Sequence, residues 1–369
     1  MNENSLIRDI GRSYIVSSML PAALFITLGM FIYRANIPQL LSIPVLSNQY
    51  SASLYLLFAA TVMWVGFALY SMTNWTVRFY EGYYFPPGVR EVIVFLCFKW
   101  VHRIKKRHIE KIITANREKP SDLNKIINET YDRAWSDYSE LELSSPLRES
   151  DLLPTRLGNV LRASEQYPEK YGLRAGIQLW TRLVVFLPLN LANSLEEKNN
   201  NLLFLLNSSL LSYLMGLFAF TNWGVCKIFQ SCSTTLFTPT FIKSQGILSS
   251  FIKGLSENQF FVLGLIWILI GYALYILSIP VAKTIGLLIR SCYDMYRFDL
   301  LKQLNYSIPQ TLAQERKIWQ KISDFIVTGG RLGTIPMDFE YELRKEFIGE
   351  QQQVIEILYQ KRPGWKGKS

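Results

Sequence analysis

Small and polar side chains share one face of a long apolar stretch of the chain, residues 202–230. Ser208, Ser212 and Gly216 recur at every fourth position, and Asn207 lies next to this row. A helix places residues at this spacing on one face. In lipid, such a face either packs closely on another helix or lines a polar path for an ion or small solute. The pattern predicts a face turned away from lipid and leaves packing and pore lining open.

A second row of small residues occurs in the apolar stretch 259–279. Gly264, Gly271 and Ser278 repeat at every seventh position, which is about two helical turns. Small residues at such spacing are typical of close helix contacts in membranes. We therefore predict that this row, like the row over 207–216, is a helix-packing or pore-lining face.

A cluster of basic residues follows the apolar stretch 92–98, which is too short to cross a bilayer. Trp100, Ile104 and Ile112 add an apolar stripe, which predicts an amphipathic helix that starts at headgroup level and continues into the cytoplasm. The positive charge either binds anionic lipid or serves only as a signal for membrane orientation. The basic residues are Lys99, Arg103, Lys105, Lys106, Arg107 and Lys111.

A polar side is predicted for the helix that begins near residue 156. Arg156, Arg162 and Glu165 lie opposite its apolar side, and Asn159 is expected among them. Charged residues on one side of a helix usually face water, but they can also contact a ligand or another subunit. Both interpretations stay open for the three charged residues.

No pattern in the sequence points to catalysis or to a bound metal. Phosphate-binding, serine-hydrolase, zinc-protease and dinucleotide-binding motifs are absent. The two histidines lie far from a matching set of cysteines, so neither zinc nor haem ligation is predicted. We expect a protein that is not an enzyme and that binds no cofactor. Cys226 and Cys232 form a disulfide if their helix end faces an oxidising compartment, and otherwise they remain buried thiols.

Four apolar stretches are long enough to cross a bilayer as helices, which takes about 20 residues. They cover residues 13–33, 51–75, 202–230 and 259–279, and no ionisable residue lies deep in any of them. That absence argues against a proton relay or a voltage sensor. Pro21 is compatible with a membrane helix if a neighbouring helix satisfies the carbonyl that it frees. We predict an all-α polytopic membrane protein with four transmembrane helices and a helical cytoplasmic domain.

The distribution of positive charge predicts how these spans are oriented. Lysine and arginine concentrate at the N-terminus and in the two long polar segments, and are sparse in the two short loops. Under the positive-inside rule both termini are cytoplasmic, and the net charge of +10 is assigned to anionic lipid rather than nucleic acid. The predicted parts are a cytoplasmic N-terminus (1–12), a hairpin (13–75), a cytoplasmic segment (76–201), a second hairpin (202–290) and a cytoplasmic C-terminal segment (291–369).

Local signals in the polar segments predict where helices begin and end. The acidic, serine-rich stretch 136–151 is expected to be a loop. Two helices joined at Pro168 are predicted between residues 153 and 188. Thr311 and Gln314 have the spacing of a capping box, which predicts a helix that begins directly after Thr311.

The phrase LPTRLGNVLRASEQYPEKYGL resembles a segment of an unnamed family of uncharacterised bacterial multi-pass membrane proteins. The residues that carry the resemblance are Leu153, Pro154, Thr155, Arg156, Leu157, Gly158, Asn159, Tyr171 and Gly172. The resemblance covers a few dozen residues and implies a bacterial inner-membrane setting, without an activity.

Two functions are compatible with these features. The first is an oligomeric channel or membrane-permeabilising protein of the inner membrane, gated by its cytoplasmic helices, since uncharged spans with polar faces suit a pore built from several subunits. The alternative is a membrane-anchored scaffold or sensor in which the spans only hold the helical domain at the membrane. The partners expected are an anionic bilayer and further copies of the chain.

Overall fold

The computed structural model describes residues 13–32, 51–99, 103, 107, 110, 125–146, 148–174, 176–232 and 257–328. Within these ranges the chain forms helices, turns and short connections, and it contains no strand. The all-α prediction is therefore confirmed for the described part of the chain. The chain divides into two compact units: unit 1 comprises Met1–Ala163 and Asn193–Gly286, and unit 2 comprises Ser164–Ala192 and Leu287–Ser369.

Unit 1 begins with a helix whose first part is widened. A π-helical turn, Ile15–Met19, leads into α1, Leu20–Ile32. Pro21 lies in the first turn of α1 and has no N–H, so the carbonyl of Ser17 lacks its α-helical donor four residues later. Local widening to a π-helical turn is one way in which membrane helices accommodate such a proline.

The next two helices of unit 1 meet at a sharp bend. Helix α2, Ser51–Ser71, and helix α3, Thr73–Glu81, are inclined by 57° at Met72. Helix α3 ends at Gly82, which adopts a left-handed conformation with φ +88°. A Cβ atom there would also lie 2.4 Å from Cγ of Pro154, so both the backbone and the space require glycine.

Three shorter helices follow in the predicted polar segment. Helix α4, Pro87–Ile93, starts with proline in its first turn, where no donor is needed, and continues as the π-helical turn Val94–Lys99. Helix α5 covers Lys125–Ser144, so the loop prediction for 136–151 is wrong over its first part. A short 3₁₀ turn precedes α6, Arg156–Gln166.

Two very long helices dominate the second half of the chain. Helix α8, Leu189–Cys232, has 44 residues, and helix α9, Glu257–Gln303, has 47 and passes through Pro280. Both exceed the predicted spans at their polar ends. The segments Leu189–Gly224 and Asn258–Gln303 are long and apolar enough to cross a membrane.

The other predicted spans are less complete in the described residues. The bent pair α2 and α3 would count as a third span if its two halves are taken together, whereas Ile15–Gly29 is a shorter apolar helix. The structure therefore gives two helices able to span a membrane, or three with the bent pair. Four crossings remain a prediction.

The helix directions within unit 1 follow from pairs of contacts. Ser13 bonds to Asn200, and Ser17 bonds to Asn207, so the first helix and α8 run parallel. Gly216 of α8 lies against Gly264 of α9, and positions nearer the start of α8 contact positions further along α9, so these two helices run antiparallel.

Unit 2 is built from the 3₁₀ turn Tyr167–Tyr171, the short helix α7 (Gly176–Leu183), the last part of α9 and helix α10 (Leu312–Thr328). The break predicted at Pro168 lies in that 3₁₀ turn. The backbone N–H of Gln314 donates to Oγ1 of Thr311 at 3.3 Å, as the capping-box spacing predicts. The side chain of Gln314 reaches the N–H of Gln310, one residue before the expected position.

Candidate functional site

The two rows of small residues lie against each other in the contact between α8 and α9. A Cβ atom on Gly216 would lie 3.2 Å from the carbonyl oxygen of Gly264 and 3.2 Å from Cγ1 of Ile268. A Cβ atom on Gly264 would lie 3.0 Å from the ring of Phe220. Both distances are tighter than ordinary contacts, so glycine lets the two backbones approach each other. Within one chain, these residues therefore serve helix packing.

The same contact continues along α9 at Gly271, and Ser278 lies two turns further along the same helix. A Cβ atom on Gly271 would lie 3.0 Å from the ring of Tyr213 on α8. Ser278 is fully buried, and its hydroxyl donates to the carbonyl of Tyr275 at 2.6 Å, one turn earlier in its own helix. Aromatic rings of α8 thus fill the space beside Gly264 and Gly271 of α9.

A hydroxyl that the sequence pattern does not single out joins three helices. The hydroxyl of Tyr80 on α3 donates to Oγ of Ser209 on α8 at 2.8 Å, and Ser209 donates to the carbonyl oxygen of Gly271 on α9 at 2.8 Å. Ser209 is fully buried. Its neighbour Ser208 belongs to the predicted row. No sequence pattern indicates Ser209, because its role depends on a third helix that packs on this side.

Asn207 supplies the contact between α8 and the widened first helix. Its Nδ2 donates to the carbonyl of Ser17 at 2.8 Å and lies 3.4 Å from Oγ of Ser18. Because a carbonyl can only accept, Nδ2 must face Ser17, and Oδ1 points the other way. Asn207, Ser17 and Ser18 are all fully buried. The amide therefore pairs with the carbonyl that Pro21 deprives of its helical donor.

Some polar atoms of this bundle are buried without a hydrogen-bond partner. Among the described residues they include Oδ1 of Asn207, Oγ of Ser208 and Oγ1 of Thr76. Ser212 differs, because its hydroxyl donates to the carbonyl of Ser208 at 2.8 Å. Buried acceptors such as these can bind water or a small polar solute, since an unpaired polar group in an apolar interior is costly.

The residues predicted as a possible ligand or subunit contact are spread along α6. Arg156 is exposed, whereas Arg162 and Glu165 are half-buried. Nine residues of helix, about 14 Å, separate the first from the last, so the three charges do not converge on one point. Asn159 is 1% exposed, which corrects the expectation that it faces water.

Asn159 instead closes the turn that precedes α6. Its Oδ1 accepts from the N–H of Leu153 at 2.7 Å, and its Nδ2 donates to the carbonyl of Leu153 at 3.0 Å. The hydroxyl of Thr155 accepts from the N–H of Gly158 at 3.0 Å and caps the helix. The LPTRLGN phrase is therefore a compact capping structure, and a Cβ atom on its glycine, Gly158, would lie 2.6 Å from the carbonyl oxygen of Glu81.

The basic cluster is described only in part. Lys99 ends the π-helical turn after α4, and Arg103 and Arg107 are exposed residues in helical conformation. Lys105, Lys106 and Lys111 lie outside the described residues. The proposed lipid contact of this cluster therefore remains a prediction.

Unit 2 contains a cluster of tyrosines, carboxylates and cations, here called the tyrosine cluster. The hydroxyls of Tyr167 and Tyr171 donate to the two carboxylate oxygens of Asp294 at 2.7 Å and 2.6 Å. The ammonium of Lys170 lies 3.6 Å from the ring centre of Tyr167, and the guanidinium of Arg297 lies 4.0 Å from that of Tyr171. These contacts combine charged hydrogen bonds with cation–π attraction.

Ionisation of the two tyrosines is disfavoured in this cluster. Burial, followed by the hydrogen bond to Asp294 and its negative charge, raises the pKa of Tyr167 above its ordinary value. The same causes raise the pKa of Tyr171 to about 12. Both hydroxyls therefore stay protonated at neutral pH, as their hydrogen bonds to Asp294 require.

A buried ion pair connects the tyrosine cluster to α10. Nε of Arg297 lies 2.7 Å from Oε1 of Glu315, and the two side chains are 13% and 5% exposed. Nε of Arg316 donates to the carbonyl of Lys170 at 2.9 Å and draws the 3₁₀ turn onto the same helix. No sequence spacing indicates this pair, because its members lie in different helices.

Of the two alternatives for Cys226 and Cys232, the disulfide is incompatible with the helix that carries both cysteines. Cys226 and Cys232 both belong to α8. Six residues of helix separate their Cα atoms by about 9 Å, beyond the roughly 7 Å that a disulfide allows. Among the described residues no group of three or more histidine, cysteine or acidic side chains could hold a metal ion.

Comparison with known protein families, with characterised proteins and with solved structures gives no match for this chain.

Proposed function

We propose that this chain is an integral membrane protein whose spans anchor a helical domain at the membrane surface, where it acts as a scaffold or sensor. The observation that carries the proposal is the burial of the polar face of α8 inside a single chain. Asn207, Ser209 and Ser212 are each 0% exposed. Asn207 and Ser209 bond to neighbouring helices and Ser212 to the preceding turn of its own helix, which accounts for polar residues in an apolar stretch without a pore.

The exposed side of the bundle is apolar, which supports placement in lipid. Leu56, Trp64 and Phe67 on α2 are 72%, 75% and 64% exposed, and Leu269 on α9 is 65% exposed. Contiguous apolar surface of this kind on a water-soluble protein would be a liability, whereas lipid covers it without cost.

We extend the proposal to four crossings with both termini on the cytoplasmic side of a bacterial inner membrane. The helix directions support alternating crossings, because the first helix runs parallel to α8 and α8 runs antiparallel to α9. Single cysteines placed at Arg103 and in the loop 35–50 test the orientation. We expect a membrane-impermeant maleimide to label the loop in intact cells and Arg103→Cys only after permeabilisation, and the reverse result would contradict the orientation.

Membrane flux separates a scaffold from a channel. Liposomes that contain the purified chain at high density should retain trapped potassium as well as protein-free liposomes do. A potassium-sensitive dye measures the potassium that is released. Release that increases with protein density would overturn the scaffold. Photocrosslinking in cells from the exposed position Arg156 should at the same time give one discrete adduct, and its absence would remove the support for a partner.

A channel formed by several copies is the second candidate function. The observation that favours it is the pair of buried acceptors without partners, Oδ1 of Asn207 and Oγ of Ser208, in the middle of an apolar helix. Polar atoms at such depth often belong to a path for ions or solutes. Particle images in detergent discriminate the two candidates: a ring with a central axis favours the channel, and a monomer or dimer favours the scaffold.

A further inference from the structure

A large groove lies beside α4 and the π-helical turn that follows it. Its volume is about 1010 Å³, at the upper end of the range of small-molecule sites. The side chains that matter for its chemistry are Tyr83, Phe85, Arg90, Val92, Phe95 and Leu152. All of them belong to unit 1.

The walls of the groove are apolar and open. Val92, Phe95 and Leu96 are 56%, 63% and 64% exposed, although they follow one another within five residues. Leu152 is 3% exposed and belongs to the well-packed part of the unit. Several large apolar side chains left uncovered together mark a surface that binds a lipid or another apolar group.

The groove also carries a cation suited to a phosphate group. The guanidinium of Arg90 lies 5.7 Å from the ring centre of Tyr83, which limits its freedom while leaving donors to bind. Guanidinium matches phosphate with two parallel hydrogen bonds. Glu91 and Ser150 are the other polar side chains that line the groove. Among the described residues that line it, the groove is therefore apolar along its walls, with Arg90 as the single cation.

The surroundings of the groove are those of a membrane surface. The bent pair α2 and α3 ends at Gly82, directly before the groove. The ring of Trp75 lies 5.4 Å from that of Phe79 and 5.6 Å from that of Tyr84, an aromatic group of the kind that lies at headgroup level. In the sequence, residues 87–111 contain seven lysines and arginines and two glutamates, whatever their distance from the groove. This excess of positive charge complements an anionic lipid.

We propose that the groove binds one anionic phospholipid, with its phosphate on Arg90 and the upper part of an acyl chain along Val92 and Phe95. The site rests on the proposed membrane location of the chain and adds a defined lipid to it. The phosphate of a zwitterionic lipid can also pair with Arg90, but the cationic group of that headgroup offsets part of the attraction. Charge complementarity therefore selects the anionic headgroup, because a headgroup without net negative charge gains less from Arg90.

Photoreactive lipids test the site in the full-length protein. The chain is reconstituted in phosphatidylcholine nanodiscs that contain a trace of a photoreactive lipid with a diazirine in its acyl chain. The photoreactive lipid is phosphatidylglycerol in one sample and phosphatidylcholine in the other. Adducts are located by mass spectrometry after proteolysis. We expect the phosphatidylglycerol adducts to be enriched at residues 83–96 over the exposed apolar face of α2. Removal of one cation near a surface predicts about a fivefold loss of this preference in Arg90→Gln.

Two variants make the result specific. Arg78→Gln removes an exposed arginine on α3 outside the groove and should leave the enrichment unchanged. Arg90→Lys keeps the charge and should retain most of the preference, which separates an ionic contact from a folding defect. Equal labelling by both lipids, or equal loss in Arg78→Gln and Arg90→Gln, would overturn the lipid site.

The proposed membrane location fails by a different result. Release of the chain from membranes by alkaline carbonate would contradict the location itself. A chain that resists alkali but shows adducts scattered evenly over its apolar surfaces keeps its location and loses the lipid site.

Discussion

Nδ2 of Asn207 lies 2.8 Å from the carbonyl oxygen of Ser17, the carbonyl that has no α-helical donor because Pro21 follows four residues later. The two residues are 190 positions apart in the sequence and meet inside the bundle. The side-chain amide of one helix thus supplies a donor to a carbonyl that has lost its α-helical donor to a proline in another helix.

This relationship predicts a coupling between two distant substitutions. Asn207→Ala leaves the Ser17 carbonyl without its amide donor and should lower the free energy of unfolding by about 1–2 kcal/mol. In a Pro21→Ala background the N–H of residue 21 can bond to Ser17, so the cost of Asn207→Ala should fall well below that value. Thermal or denaturant unfolding in one detergent measures all four proteins.

Asn222→Ala is the matched control for this cycle. Asn222 lies on the same helix, and its amide donates to the carbonyl of Phe218 at 2.7 Å within that helix. The loss of unfolding free energy caused by Asn222→Ala should be the same with or without Pro21. If the free-energy costs of Asn207→Ala and Pro21→Ala are additive, the hydrogen bond of Asn207 does not compensate for Pro21.

The contact between α8 and α9 predicts a position-dependent response to a larger side chain. Gly216→Leu places atoms where Gly264 and Ile268 already lie, and should lower the free energy of unfolding by about 1–3 kcal/mol. Gly224→Leu, two turns further along α8, meets nothing within 4 Å and should cost little. Melting temperatures in detergent compare the two. Equal effects would mean that Gly216 does not lie in a close contact.

Gly172 is predicted to be required where unit 2 folds around α10. Its φ is +93°, and a Cβ atom would lie 2.6 Å from the carbonyl oxygen of Arg316. Gly172→Ala should therefore cost more than the roughly 1 kcal/mol of a left-handed alanine alone. Gly88→Ala in α4 has open space and a helical backbone, and should be neutral or stabilising by up to about 1 kcal/mol. Limited proteolysis should cut the Gly172→Ala protein faster within unit 2, and unchanged cutting would contradict the packing.

The ion pair of Arg297 and Glu315 should behave as a buried pair. Glu315→Leu leaves a buried guanidinium without its carboxylate and should cost about 3–5 kcal/mol. The double variant Arg297→Met/Glu315→Leu should recover part of that cost, though not the contact of Arg297 with Tyr171. The exposed pair of Lys302 and Asp299 gives the comparison, since its loss should cost at most about 1 kcal/mol. A near-zero cost for Glu315→Leu would show that the pair is solvated.

Local sequence spacing was sufficient for part of this architecture. The rows through Gly216 and Gly264 could be predicted because i, i+4 and i, i+7 spacing fixes a helix face. The capping function of Thr311 could also be read from neighbouring residues. Pro21 indicated that a freed carbonyl needed a partner, but nothing local identified Asn207 as that partner.

Other features depend on tertiary contacts and could not be read from local patterns. Asn159 has the spacing of a solvated face, but its side-chain amide makes two hydrogen bonds with the backbone of Leu153. The serine-rich stretch expected as a loop is helical up to Ser144, where Glu140 also pairs with Lys283 of α9 at 3.1 Å. At Asn159 the backbone contacts with Leu153 account for the burial, which the helical spacing alone does not indicate.

The single hydroxyl of Ser209 has a consequence for motion in unit 1. It accepts from Tyr80 and donates to Gly271, so one oxygen atom keeps three helices at a fixed height relative to one another. Sliding one of these helices by even half a turn, about 2.7 Å, would break at least one of these two bonds. A rearrangement of the three helices that keeps both bonds must therefore pivot about this oxygen.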